Sequence, residues 1–323
     1  MESNPLGSGG PQVSRVGLGL MGMSGVYGPA DETESIATIH EAIDRGINLI
    51  DTGDFYGSGH NEMLLGRALR GRRDKVHVSV KFGALMGPDR TFIGFDARPQ
   101  FVKASAAYSL KRLGIDVIDI YRPARLDPNV PIEETIGAIV DLIKAGYVKH
   151  VALSEVGVET IRHAQAVHPV VDVQLEYSLI SRGPEEKIFP ALEELGVSAT
   201  LYGILSRGLL TGSTSGGFRD ILPRFSAENR GQNEAVVARF SAFAKQRGRS
   251  AAQLALAWVL AKQPRLVPLV GARTSAQLQD LLAALERPLS GEEVHGLEAI
   301  VPADAIVGSR YPSAHMAQLD SEA

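Results

Sequence analysis

GINLIDTGDFYGSGHNEMLLGRAL, residues 46 to 69, is the stretch on which the fold turns. A short apolar run, Ile47 to Ile50, leads into Asp51, and Tyr56 follows five residues later in a Gly-rich turn. Met63, Leu64, Leu65, Ala68 and Leu69 then recur at helical i, i+3, i+4 spacing. The order is strand, loop, helix, with an acid and a phenol where the strand stops. In a parallel α/β protein that is the end of the sheet where sites are built. A free tyrosine titrates at about 10, too high for easy proton donation at neutral pH, and a nearby cation would lower it. The next strand, KVHVSVKFG, ends in such a cation, Lys81. Taken singly, Asp51 is as well a turn cap, Tyr56 a packing ring and Lys81 a solvated lysine. Together, at consecutive strand ends, they read as proton chemistry: Asp51 holds Lys81, and Lys81 tunes Tyr56.

Outward from this stretch, strand-like runs at 16–20, 47–50, 76–80, 117–121, 148–153, 171–175, 197–202 and 265–270 alternate with amphipathic runs. The helical runs are 32–45, 61–70, 99–113, 133–145, 157–167, 186–195, 233–261 in two pieces, and 275–286. The alternation predicts an α/β fold, a (β/α)8 TIM barrel with long active-site loops. No repeat or linker divides the chain, so a single domain over 1–323 is expected, with 1–13 a loose arm and 302–323 a C-terminal tail. Two connections are longer than usual. Residues 83–98 leave the third strand and are expected to wall the substrate, and residues 206–231 leave the seventh and are expected to clamp a cofactor; a plain surface insertion is the alternative for each. The tail carries Tyr311, Pro312 and His315.

The chain has 323 residues, 44% of them hydrophobic, which is ample for one large core. Its net charge is −4 and no basic block appears, so nothing invites nucleic acid or an anionic membrane. There is no cysteine, which removes disulfide and thiol chemistry and fits a cytoplasmic location. The opening MESNPLGSGGPQ lacks the charged and apolar regions of a signal peptide. No apolar run approaches the ~20 residues of a membrane span. His60, His77, His150, His163 and His168 lack ligand spacing, so no metal is expected. His60, close to Tyr56, is either a pocket residue or a solvated loop histidine. Gly17, Gly19 and Gly22 spell the dinucleotide fingerprint, but no helix opens at them. The chain runs on as loop to Asp31, where Asp31 and Glu34 mark a helix start.

The pattern IDTxxxYGxGxNExLLGxAL, followed by a strand ending in Lys-Phe-Gly, resembles the aldo-keto reductases over about residues 14 to 300. The resemblance implies a catalytic tetrad, of which Asp51, Tyr56 and Lys81 are three members. The fourth is a histidine in a pattern like DLYQxHRxD; here residues 119 to 127 read DIYRPARLD, and Ala124 stands in the histidine's place. Losing one such hydrogen-bond donor costs on the order of 10²–10³ in rate if nothing replaces it. A water, Arg122 or Arg125 filling the gap, or a protein that keeps the fold without catalysis, are the alternatives. The wording ARLDPNVPIE also resembles reductases of pyridoxal, and an active aldehyde or a bulky ketone would each tolerate the missing histidine. Tyr27, Tyr56, Phe82, Arg122, Ala124 and Arg125 are the residues expected against the substrate.

The same resemblance implies NADPH. It places the backbone of Gly22 and Met23 beside the cofactor, with Asp51 nearby. Ser154 matches the serine that holds the nicotinamide amide, while Glu155 replaces the usual asparagine; Gln174 matches the second amide contact. Tyr202 is the aromatic on which the nicotinamide stacks, and Leu205, Ser206 and Arg207 would run along the pyrophosphate. Gly271 turns ahead of a helix starting near Ser275, and with Arg273 this makes a phosphate site, favouring NADPH over NADH. Gln277 and Asp280 are the nearest polar counterparts for adenine, and Leu281 departs from the usual asparagine. The expected activity is reduction of an aldehyde or ketone to an alcohol, with Tyr56 giving the proton. The alternative is an NADPH-binding regulatory or subunit-like protein of the same fold. The expected partner is a small carbonyl compound; a monomer and a homo-oligomer are both compatible.

Overall fold

The computed structural model describes residues 1–89 and 91–322. Parallel strands close into an eight-stranded barrel: β1 (Gly17–Gly19), β2 (Leu49–Gly53), β3 (His77–Phe82), β4 (Ile118–Pro123), β5 (Val148–Ser154), β6 (Val170–Glu176), β7 (Ser198–Tyr202) and β8 (Val267–Gly271). Neighbours in the chain are neighbours in the barrel, and β8 closes on β1 with Leu269 opposite Gly17 and Gly271 opposite Gly19. This is the (β/α)8 TIM barrel that the alternation predicts. Helices α1 (Glu32–Asp44), α2 (His60–Ala68), α3 (Pro99–Leu113), α4 (Ile132–Lys144), α5 (Val158–Val167), α6 (Ile188–Leu195), α7 (Ala227–Gln246), α8 (Ala251–Lys262), α9 (Ser275–Leu282) and α10 (Gly291–Ile300) accompany it. Asp31 caps α1 by accepting the Glu34 amide at 2.8 Å. The sequence reading missed α10, although Ser290 and Glu293 form a full capping box at its start.

The bottom of the lumen is apolar. Leu49, Ile120, Ala152, Val171, Val267 and Leu269 meet there. A Cβ on Gly17 would lie 2.7 Å from Leu269 Cδ2 and 3.1 Å from Leu49 Cδ2, so the glycine makes room for both leucines. Leu6 and Val13 complete this cluster, both fully buried. Residues 1–13 are therefore not a loose arm. Ser3–Pro5 pairs antiparallel with Gln12–Ser14, and the turn between them plugs the barrel. Polar, Gly-rich composition concealed two apolar side chains that the fold turns inward.

Three segments cover the opposite end. The 83–98 loop carries an antiparallel hairpin, Ala84–Met86 with Phe92–Phe95. The loop after β7 is a chain of short helical turns, Ser206–Thr211, Gly217–Ile221 and Pro223–Phe225, and α7 begins before the loop was expected to end. This strap rests on the β1–α1 loop: the Phe218 amide donates to Val26 O at 2.9 Å. Gly217 beside it has φ 63°, and a Cβ there would lie 2.4 Å from Val26 O, so only glycine fits. The C-terminal tail crosses the same mouth, with His315 edge-on to Phe92. Among the described residues, no helix is long and apolar enough to cross a membrane.

Candidate active site

Above the apolar floor the lumen turns polar. Arg122 of β4 and Asp172 of β6 form an ion pair at 2.6 Å, both fully buried. Thr200 donates to Asp172 Oδ2 at 2.9 Å, and Arg122 Nη2 donates to Ser79 Oγ at 2.9 Å. Ser79 and Gln174 both donate to Asp51 Oδ2, at 3.0 and 2.9 Å, while Lys81 pairs with Asp51 Oδ1. Asp51 and Lys81 are each only 4% exposed. The carboxylate is thus locked from three sides before any ligand arrives. Arg122 was expected against the substrate; it lies a layer below, sealed by Asp172. Ser79, Asp172 and Thr200 escaped the sequence reading. Each stands two residues before a strand-end residue that was singled out, and strand residues i and i+2 share a face, so that spacing is the signal that finds them.

Tyr56 sits in the β2–α2 loop, its amide on Gly53 O at 3.1 Å and its carbonyl accepting Asn61 N–H at 3.2 Å. Asn61 in turn is tied to Thr52 at 2.6 Å and to Leu20 O at 2.9 Å, which fixes the loop on two strands. The Tyr56 ring lies edge-on to Phe55, and Lys81 Nζ is 5.0 Å from its centroid. Its hydroxyl has no hydrogen-bond partner among the described residues. Burial, then the charge of Asp51, pushes the Tyr56 phenol well above its ordinary range. Burial also lowers Lys81, against the pull of Asp51. The lowering of Tyr56 expected from Lys81 is not what governs it, since burial and Asp51 prevail: the phenol stays protonated, loaded to donate. Phe82, expected to face the substrate, is fully buried and stacks on Tyr121 at 4.3 Å, and Tyr121 reaches Val102 O of α3. It belongs to the outer face of β3. Ala124 is buried just past β4, its amide on Phe82 O at 2.7 Å. Arg125 follows, its Nη1 on Ala124 O at 2.6 Å and 3.4 Å from Ser154 Oγ.

On the other side of the mouth, Ser154, Gln174 and Tyr202 stand at or near the ends of β5, β6 and β7. Gln174 Nε2 is engaged by Asp51 and, at 3.4 Å, by Thr200. The Arg207 guanidinium lies over Tyr202, 5.0 Å from its centroid, pairs with Glu176 at 3.2 Å, and reaches Tyr27 and Tyr311. Arg207 here covers the tyrosine face, where the sequence placed it along a pyrophosphate. Ser206 turns inward onto Ser178 at 2.9 Å, and Leu205 packs against the core. Ser206 and Arg207 both hold positive φ, 50° and 60°, strain of the kind that collects at functional sites. Tyr27, expected on the substrate, joins the strap, with Arg219 4.5 Å over its ring. Met23 points into the core, and Gly22 lies between Arg273 and Tyr27. Glu155 accepts the Glu176 amide at 2.8 Å, Arg310 at 2.9 Å and Ser321 at 2.6 Å. Burial opposes its charge, yet Arg310 holds the carboxyl far below its usual range. It serves the tail. Tyr311 hydroxyl lies 3.1 Å from that of Tyr202, so the tail does border the site.

At the far end, side chains of the protein take two amides at the N-terminus of α9. Thr274 Oγ1 accepts the Gln277 amide at 3.2 Å, and Glu34 accepts the Ser275 amide at 3.0 Å. Gln277 folds back onto the Arg273 amide at 2.9 Å. Asp280 is held by Ser250 at 2.7 Å and Gln253 at 2.8 Å, as part of the α8 cap. Both side chains are engaged within the protein. What fits a phosphate is the pair Arg273 and Arg219, neighbouring guanidiniums bonded only to carbonyls, Pro29 O at 3.3 Å and Arg207 O at 2.6 Å among their contacts. Gly271 opens onto free space beside them. His60 is held by Ser24 at 2.9 Å and Glu32 at 2.7 Å, away from the pocket. No group of metal-ligating side chains occurs among the described residues.

The family model described as Aldo/keto reductase family matches residues 15–302. The chain belongs to the aldo-keto reductases. The Glycine max protein named "Probable aldo-keto reductase 1" is 38% identical over 317 residues, 95% of this chain and 90% of that one. Among solved structures, the glycerol dehydrogenase AKR11B4 from Gluconobacter oxydans superposes with a TM-score of 0.82 at 30% identity, covering 95% of this chain and 98% of its own. The holo form of aldo-keto reductase AKR11C1 from Bacillus halodurans gives 0.79 at 28%, covering 94% and 97%. As a member of this family the protein is an oxidoreductase.

One more acid of this aldo-keto reductase lies two residues before Tyr56. Asp54 faces a cavity of about 200 Å³ between the hairpin and α3. Burial, opposed by a 2.5 Å bond from Ser105, pushes its carboxyl up to about 6. A raised carboxyl stabilises the fold at low pH and loses that contribution as pH climbs through its folded value. Asp54→Asn should therefore be more stable than the parent at pH 7, by about 1–2 kcal/mol, with the gap closing towards pH 4. Urea denaturation at both pH values measures it; a gap that does not change with pH rules Asp54 out as the titrating group.

Proposed function

We propose that the chain is a cytoplasmic NADPH-dependent reductase of aldehyde or ketone carbonyls. The observation that carries this is the Asp51–Lys81 pair, locked by Ser79 and Gln174, beside a buried Tyr56 whose hydroxyl is left for a ligand. Tyr202 would hold the ring of a reduced nicotinamide, which would supply hydride for the carbonyl carbon. Tyr56 donates its proton to the carbonyl oxygen as charge develops there, and Lys81 stabilises the phenolate left behind. Asp51 keeps Lys81 charged and aimed. A ring stacking on the face of Tyr202 that Arg207 covers would displace Arg207, which would couple cofactor entry to the strap. Arg273 and Arg219 take the cofactor's phosphates.

The test is NADPH oxidation against a panel of carbonyls: pyridoxal, small aromatic aldehydes, a sugar-like ketone and a bulky polycyclic ketone. Turnover is the expected result. NADPH binding without turnover on any of them favours the second reading, a cofactor-binding regulatory protein, to which Ala124 in the histidine's place gives its support. Arg273→Met should weaken NADPH binding by about 10- to 100-fold, the worth of a charged hydrogen-bonded contact, and NADH binding much less. Fluorescence titration of both cofactors measures this, and equal losses would remove Arg273 from the 2′-phosphate.

A further inference from the structure

Most cations at the mouth of the barrel are matched to acids; among the described residues Arg219 and Arg273, already assigned to phosphates, are not, and neither is Arg125. Lys81 meets Asp51, Arg122 meets Asp172, Arg207 and Arg224 meet Glu176, and Arg310 meets Glu155. Arg125 meets no carboxylate among the described residues. Its Nη1 is spent on Ala124 O and Ser154 Oγ; its Nε and Nη2 make no hydrogen bond there. These two nitrogens are the fork edge that binds a carboxylate or phosphate in two parallel bonds. A guanidinium cannot shed its charge, and this one is half-buried. Glu155, the carboxylate that acts on it most, is already taken by Arg310. Arg125 is also close enough to bear on the charges of both Tyr56 and Lys81. With Ala124 beside it, no bulky side chain at that position stands between this fork and the reacting groups.

We propose that Arg125 is the residue that selects the substrate, and that the substrate is a carbonyl compound carrying an anionic group, a carboxylate or a phosphate, which docks on its Nε–Nη2 edge. The proposal rests on the reductase reading above. A nicotinamide amide reaching Ser154 would touch Arg125 as well, but it is neutral and would leave the guanidinium's charge unmatched.

The experiment compares para-carboxybenzaldehyde with para-formylbenzamide, its neutral counterpart, with NADPH as reductant. The acid should be preferred by about 10- to 100-fold in kcat/KM, the worth of a charged bidentate contact. In Arg125→Met that ratio should fall to near one, and in Arg125→Lys, which keeps the charge and loses the fork, it should lie between. Pyridoxal phosphate against pyridoxal, run in the same way, tells whether phosphate or carboxylate is the better anion. A parent ratio near one for both pairs overturns the proposal. So does an Arg125→Met variant that loses acid and amide equally, which makes Arg125 a partner of the carbonyl oxygen, or one that loses NADPH affinity with the ratio intact, which makes it a cofactor residue. If nothing turns over, the reductase reading has failed on its own, and calorimetry on the complex with NADP⁺ decides the anion site. Tighter binding of the acid than the amide, abolished in Arg125→Met, supports it, and equal binding overturns it.

Discussion

Tyr56→Phe should lower carbonyl turnover by about 10²–10⁴-fold, the contribution of a positioned general acid, while the NADPH dissociation constant stays within about 3-fold. The substitution removes one oxygen and keeps the ring that packs edge-on to Phe55. That oxygen has no protein partner among the described residues, so its loss breaks no hydrogen bond of the fold. Stability should accordingly be unchanged, which separates a chemical loss from a structural one. The pH dependence is a second check. Because the phenol is held above its ordinary range, the donor stays protonated, and reduction should remain flat to about pH 9. A fall beginning near pH 7 would show that the proton comes from another group.

Asp172→Ala should destabilise the barrel by about 3–5 kcal/mol, since it leaves the Arg122 charge buried without a partner. The pair itself need not be stabilising, because desolvating two charges offsets much of their attraction. Arg122→Met combined with Asp172→Leu should therefore recover most of the loss. Urea midpoints of the parent and the two variants test this, and a single variant that loses under about 1 kcal/mol would mean that water reaches Arg122. Activity should not recover in the double variant to the same degree. Ser79 receives Arg122 and Thr200 lies beside Gln174, and Ser79 and Gln174 are the two groups that orient Asp51.

Sequence and structure agree where one segment carries its own information. Alternating runs located all the barrel strands, because parallel strands and their crossover helices have different periods. Asp51, Tyr56 and Lys81 were legible because they lie at strand ends, where the barrel's geometry brings them together. Side chains whose role depends on a partner far along the chain were not. Gln277 and Asp280 are polar residues near a helix start, and nothing local says that the caps of α9 and α8 engage them. Glu155 reads as a departure from an asparagine until Arg310, 155 residues later, gives it a counterion. Phe82 and Arg122 follow and occupy strand positions of opposite facing; counting by two from Lys81 would have turned Phe82 outward.

The plug at the floor of the barrel has a consequence for how the protein is made. Leu6 and Val13 rest in a cluster with Val267 and Leu269, and β1 pairs with β8 across some 250 residues. A chain emerging from its N-terminus exposes those apolar side chains until nearly all of the rest has been synthesised. Contacts between the two ends of a chain also come at the greatest loop-closure cost, and topologies that depend on them fold slowly. Seating of the first residues therefore waits on the last strand, and a nascent chain halted before Val267 would carry an open barrel edge and an unfilled floor, both of them sites for aggregation.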